Sequence, residues 1–229
     1  MGWINIGAFI IGGLNIGLAA LVWLRNPSHR INQTFALAAL SVGLWAGSEA
    51  FFRVATTSAS ALLWAKLENV FASLIPLFFF LFTHYFPYQR RKLHLFEKIL
   101  MVASWVLLAY LELFSKWFIT GIVLNPPNNN FTSHLYGRTY LALYLCFYVI
   151  LAYVSLFKKY FYSDGIFRRN IRTVILGTGM LGSLGTFFGI IIPLITGSDN
   201  DWFVLYFSIP MIIILTWFTL FNDKKISIR

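Results

Sequence analysis

The sequence predicts an all-α polytopic membrane protein, a seven-transmembrane helix bundle with its N-terminus outside and its C-terminus in the cytoplasm. Three observations carry that prediction. Of the 229 residues, 59% are hydrophobic and only 11% are charged, against roughly 25% charged residues in soluble domains. The apolar residues come in blocks of about twenty, enough for a helix to cross a hydrocarbon core of about 30 Å. Lysine and arginine gather on alternate joints between the blocks, and the positive-inside bias turns that asymmetry into an orientation. One membrane domain is expected over residues 1–229.

The first crossing is expected from Trp3 to Leu24. No basic stretch precedes it and no small-residue cleavage site follows it, so it reads as a retained helix rather than a removable signal. Arg25-Asn26-Pro27-Ser28-His29-Arg30 stops it, because proline and charge both oppose continuation. The second crossing runs from Ile31 to Arg53. After a Thr56-Thr57-Ser58 joint the third runs from Ser60 to Phe86, with Pro76 expected to loosen or kink it near its middle. The fourth covers Leu95 to Phe114. The longest joint, Ser115 to Leu135, reads as an external loop with Asn125-Pro126-Pro127-Asn128-Asn129-Asn130 at its tip. Its β-forming start, Trp117 to Val123, suggests a small hairpin lying on the bundle. The fifth crossing is expected from Tyr136 to Phe157, the sixth from Ile171 to Ile195, and the seventh from Trp202 to Phe221, kinked by Pro210.

Counted by joint, one face holds Arg25, Arg30, Arg90, Arg91, Lys92, Lys98, Lys158, Lys159, Arg168, Arg169, Arg172, Lys224, Lys225 and Arg229. The other holds only Arg53, Lys66, Lys116 and Arg138. The first face is therefore expected in the cytoplasm. The net charge of +10 then serves topology and contact with anionic membrane lipids, not nucleic-acid binding, since no basic polar domain exists. Cys146 is the sole cysteine, which excludes an intrachain disulfide or a thiolate metal cluster.

Several strings resemble catalytic motifs and fail on context. Gly177-x-Gly179-x-x-Gly182 lacks the strand and helix N-terminus that dinucleotide binding requires; with Gly185 and Gly189 it reads as helix packing. Gly13 and Gly17 read as a second small-residue face. Glu49-x-x-x-Arg53 and Phe80-x-x-x-His84 suggest intramembrane proteolysis, but Glu49 and His84 should stand about 30 Å apart at opposite ends of their helices. Ser48 also occupies the position of the second glutamate. The seventh crossing lacks a mid-helix lysine for a retinal Schiff base, and His29, His94 and His134 sit in joints on different faces. No cofactor, metal site or enzymatic activity is expected.

What remains is a charged cluster at the outer ends of the second and third crossings: Glu49, Arg53, Lys66 and Glu68, joined by Trp45, Trp64 and Asn69. Glu112, near the outer end of the fourth crossing, could line the same site. Ionisable groups in a membrane are expensive enough to suggest ligand binding. Structural pairing is the competing account, because Glu49 and Arg53 are four apart on one helix face and interfacial tryptophans are common.

Over Asn32-x-x-Phe35, Trp45, Trp64-x-Lys66-Leu67, Pro76 and Phe79-Phe80, order and spacing resemble the N-terminal seven-transmembrane sensor region of bacterial and archaeal sensor histidine kinases. That resemblance implies a receptor with an outside N-terminus and a cytoplasmic end leading into signalling modules. Only Asn222 to Arg229 follow the seventh crossing here, without a phosphoacceptor helix or an ATP-binding module. Membrane part of a longer protein and stand-alone receptor both stay open.

The expected function is a membrane-embedded sensor in the cell membrane. It would take an external or lipid-soluble cue and pass a signal to a cytoplasmic module or partner, with a homodimer as an open alternative. A small transporter or lipid-handling protein is the rival, using the same charges as a substrate path.

Overall fold

The computed structural model describes residues 3–186 and residue 195, with side chains placed for 5–179 and 195. Among them the order is α1 (Trp3–Arg25), α2 (Arg30–Val54), α3 (Ser58–Tyr85), α4 (Leu95–Phe114), β1 (Gly121–Val123), β2 (Asn130–Thr132), α5 (Leu135–Phe161) and α6 (Gly165–Thr186). The expected seventh crossing and most of the last third of the sixth lie outside the described residues. Among the described residues four helices are long and apolar enough to cross a membrane, α1 from Asn5, α2, α3 and α5. The 20 residues of α4 reach about 30 Å, but this helix carries Glu97, Lys98 and Glu112.

Local chemistry sets the helix ends. Thr57 caps α3 by accepting from the Ser60 amide at 3.3 Å, which supplies a partner to an otherwise orphaned donor. At the start of α4, Glu97 accepts from the His94 amide at 2.8 Å and from both Arg91 guanidinium nitrogens, at 2.7 and 2.6 Å. Most boundaries fall within two residues of expectation and two differ by more. α5 runs on to Phe161, so Lys158 and Lys159 are helical. α6 begins six residues early at Gly165, whose φ of 56° falls in the left-handed region that glycine adopts without strain. Arg168, Arg169 and Arg172 therefore ride on the helix and not in a joint. α3 continues through Pro76 as helix, although proline leaves the carbonyl four residues back without its amide partner.

The expected hairpin is present. β1 and β2 are antiparallel, with Ile122 opposite Phe131. Asn129, buried at its tip, donates to the Phe52 and Ala55 carbonyls at 2.8 and 2.7 Å, and Asn5 donates to the Pro127 carbonyl at 3.3 Å. The hairpin thus lies over the C-terminal end of α2 and the start of α1. At the opposite end, Arg30 donates to the Tyr85 hydroxyl at 3.1 Å, Tyr88 and Ser163 share a hydrogen bond at 2.7 Å, and Arg90 lies over the Tyr162 ring at 4.6 Å. The joints carrying most of the positive charge share that end.

α1 and α2 approach closely at Gly12 and Gly43. A Cβ on Gly43 would sit 2.7 Å from Ile16 Cγ1 and 3.0 Å from the Gly12 carbonyl oxygen. Gly13 and Gly17 are exposed among the described residues, with none of those within 4 Å of a built Cβ, so they are not part of this contact with α2. Leu18, Val22, Phe35, Phe82, Leu156, Ile171 and Val174 form the core toward the basic end, and Phe52, Ala61, Ala65, Phe118 and Ile119 the core beneath the hairpin.

Candidate functional site

The charged residues singled out from the sequence do lie toward the hairpin end, but α3 divides them in two. On its α2 side, Arg53 Nε donates to Glu49 Oε1 one helical turn away, and both residues are buried, Glu49 to 3% exposure. An isolated charge in an apolar interior costs several kcal/mol or more, so the pair neutralises itself where it stands. Phe51 stacks on Trp64 with ring centroids 4.6 Å apart, binding α2 to α3 beside the pair. Trp45 packs against Ala8, Ile11, Ala46 and Ala50. Glu68, 5% exposed, follows Ala61 and Ala65 at helical spacing and so shares their buried face.

On the α4 side, Lys66 Nζ donates to the Leu113 carbonyl at 2.6 Å, and Asn69 Nδ2 donates to Glu112 Oε2 at 3.2 Å. Structural pairing across the short joint would bring Lys66 to Glu49 and Arg53; it turns instead to the C-terminal end of α4, where exposed carbonyls attract a cation. Glu112 is fully buried, on the stripe of α4 that includes Leu108 and Ala109. Only one of its oxygens is bonded. Among the described residues Glu112 Oε1, Trp105 Nε1 and Tyr144 Oη are buried without a hydrogen-bond partner, a condition that costs about 1–3 kcal/mol per group.

The protease reading fails on geometry. Glu49 pairs with Arg53 near the C-terminal end of α2, whereas the His84 ring meets the Arg91 carbonyl at 3.0 Å at the basic end. The dinucleotide string also fails, since Gly177, Gly179 and Gly182 all lie inside α6. A Cβ on Gly179 would meet the Tyr153 hydroxyl of α5 at 3.6 Å, ordinary packing distance.

Sequence reasoning missed Lys159, counting it as one more cytoplasmic charge. It is 2% exposed, and its ammonium donates to the carbonyls of Thr83, His84 and Phe86, each at 2.7 Å. A lysine from α5 thereby caps the C-terminal end of α3 with all three of its N–H bonds. The available signal was its spacing: Tyr144, Tyr148, Ala152, Leu156 and Lys159 form the buried stripe of α5.

A bundle of apolar helices with buried carboxyl groups toward one end and clustered cations at the other fits a chain embedded in a membrane, and comparison with known families says of what kind. The family model described as the N-terminal 7TM region of histidine kinase matches residues 8–227. The chain belongs to that family. Membership covers nearly every residue, so the likeness reaches well past the first three helices that first suggested it. It establishes a polytopic helical membrane protein and supports a sensor input role for this histidine kinase region. Comparison with curated proteins found no matching sequence.

Proposed function

We propose that the chain is the sensory input region of a signal-transducing protein in the cell membrane. It has seven crossings, an outside N-terminus, and a cue site in the hairpin half of the bundle. The carrying observation is the burial of Glu49, Glu68 and Glu112 at one end of a member of this family, because ionisable groups at membrane depth are costly and tend to mark function. α3 is the natural transmitting element: its first half carries Trp64, Lys66, Glu68 and Asn69, and its far end rests on Lys159. A cue acts only if it binds two arrangements of that helix with different affinity. The output goes to a cytoplasmic kinase module, continuous with the chain or supplied by a partner, and membrane lipids surround the bundle.

The test joins the chain to a histidine kinase module in proteoliposomes and follows autophosphorylation. Glu49→Lys places two cations four residues apart on α2 and should shift basal output several-fold, and Arg53→Glu added to it should restore the pair and the output. Normal folding with unchanged output in both variants rejects this cue site. Solute uptake by the same liposomes, with no change in phosphorylation, would reject the sensor reading in favour of transport.

A further inference from the structure

We infer that the seam between α3, α4 and α5 is the cue site itself, and that it takes an uncharged lipid-soluble molecule bearing a hydroxyl and a carbonyl group. The inference rests on the sensor reading and narrows it to one side of α3. Leu108, Ala109 and Glu112 form the buried stripe of α4, and half-buried Trp105 precedes them at helical spacing. Leu108 packs in one cluster with Tyr144 and Tyr148 of α5 and Leu77 of α3, with Trp105 against it. Three buried polar atoms without a well-formed hydrogen bond among the described residues therefore lie around Leu108: one on Glu112, a donor on Trp105, and a hydroxyl on Tyr144 that lies near Ser104 without a well-aligned bond to it. A bonded column flanks them, with Lys66 on the Leu113 carbonyl and Asn69 on Glu112 toward the hairpin, and Ser104 on the Tyr148 hydroxyl at 2.8 Å toward mid-helix.

The chemistry of the three atoms selects the guest. A hydroxyl donates to Glu112 Oε1, and a carbonyl accepts from Trp105 or Tyr144. A cation is disfavoured by Lys66, whose ammonium already sits at the neighbouring Leu113 carbonyl. An anion is disfavoured because a further charge buried in the seam would lack a partner of its own. The route is lateral, from lipid: Ile99, Leu100, Val102, Val106, Leu107 and Tyr110 of α4 are all exposed, so α4 is held mainly through its one stripe and can part from the seam. The arrangement seen leaves three polar groups unsatisfied and the guest-bound arrangement satisfies two of them, which is the difference in affinity that a two-state receptor requires.

The test is thermal unfolding of the full chain in nanodiscs with monolauroylglycerol added, and dodecane and lauric acid as controls. Monolauroylglycerol should raise the melting temperature by roughly 3 °C over either control. Tyr144→Phe should melt higher than wild type without additive, having lost an unsatisfied hydroxyl, and should lose most of the monolauroylglycerol effect. Glu112→Gln, which keeps the shape, should weaken that effect. The inference is overturned if monolauroylglycerol does not exceed dodecane, if lauric acid matches it, if Tyr144→Phe retains the full rise, or if that variant melts lower than wild type. Such a failure alongside a working Glu49→Lys output switch removes the seam and leaves the sensor reading; failure of both removes both.

Discussion

Lys159 decides more than any other single residue at the basic end. Its neighbour Lys158 is exposed and should be dispensable: Lys158→Met is expected to change stability by less than about 0.5 kcal/mol. Lys159→Met removes the donors from three carbonyls at the end of α3 and should cost about 2–4 kcal/mol, measurable as a lowered denaturation midpoint in detergent. Equal effects of the two substitutions would show that the clasp carries no stability. The difference between the two lysines was legible as periodicity, since position 159 continues the stripe through Ala152 and Leu156. It was overridden by the habit of lysine to remain exposed at helix ends. Which carbonyls it would find was not legible, because Thr83, His84 and Phe86 lie more than seventy residues away in sequence.

Among elements, the contact of α1 with α2 is set by glycine, at a pair that the sequence pattern did not single out. Four-residue glycine spacing marks Gly13 and Gly17, but rotation about the helix axis, which composition does not encode, turns those two away from α2 and sets Gly12 against Gly43. A Cβ at position 43 presses on the Gly12 carbonyl oxygen, a backbone atom that moves only with its helix. Gly43→Ala should therefore force the helices apart and cost about 1–3 kcal/mol, whereas Gly17→Ala, with open space around it, should leave the melting temperature unchanged. The candidate site was legible in the same partial way. Every charged residue chosen for it sits toward the hairpin end, because blocks of hydropathy locate residues along the membrane normal. Hydropathy does not say which neighbour each helix faces, so the turn of Lys66 toward α4 and away from Glu49 and Arg53 was not legible. The hairpin is a further tie at this scale. Asn129→Ala removes two hydrogen bonds to the end of α2 and should speed proteolysis within 121–132 in the folded protein, while Asn128→Ala, exposed at the same tip, should not.

For the molecule as a whole, the two ends differ in kind, and sidedness determines what each can meet. The joints at one end bring Arg25, Arg30, Arg90, Arg91 and Lys92 together with the start of α6, and the hairpin end offers asparagines and a small sheet. Anionic lipid on the cytoplasmic leaflet attracts each surface cation by about 1 kcal/mol, so the basic end should face it and the hairpin should face outward. In a Cys146→Ser background, Asn128→Cys should react with a membrane-impermeant maleimide on intact cells. Lys92→Cys should react only after the membrane is opened. Both positions are exposed on the protein, so burial would not explain a failure to label; only the bilayer would. The opposite result would put the Glu49–Arg53 end in the cytoplasm. A cue reaching it there would be an intracellular one, and the clasp at Lys159 would face the medium instead of the signalling machinery it is proposed to move.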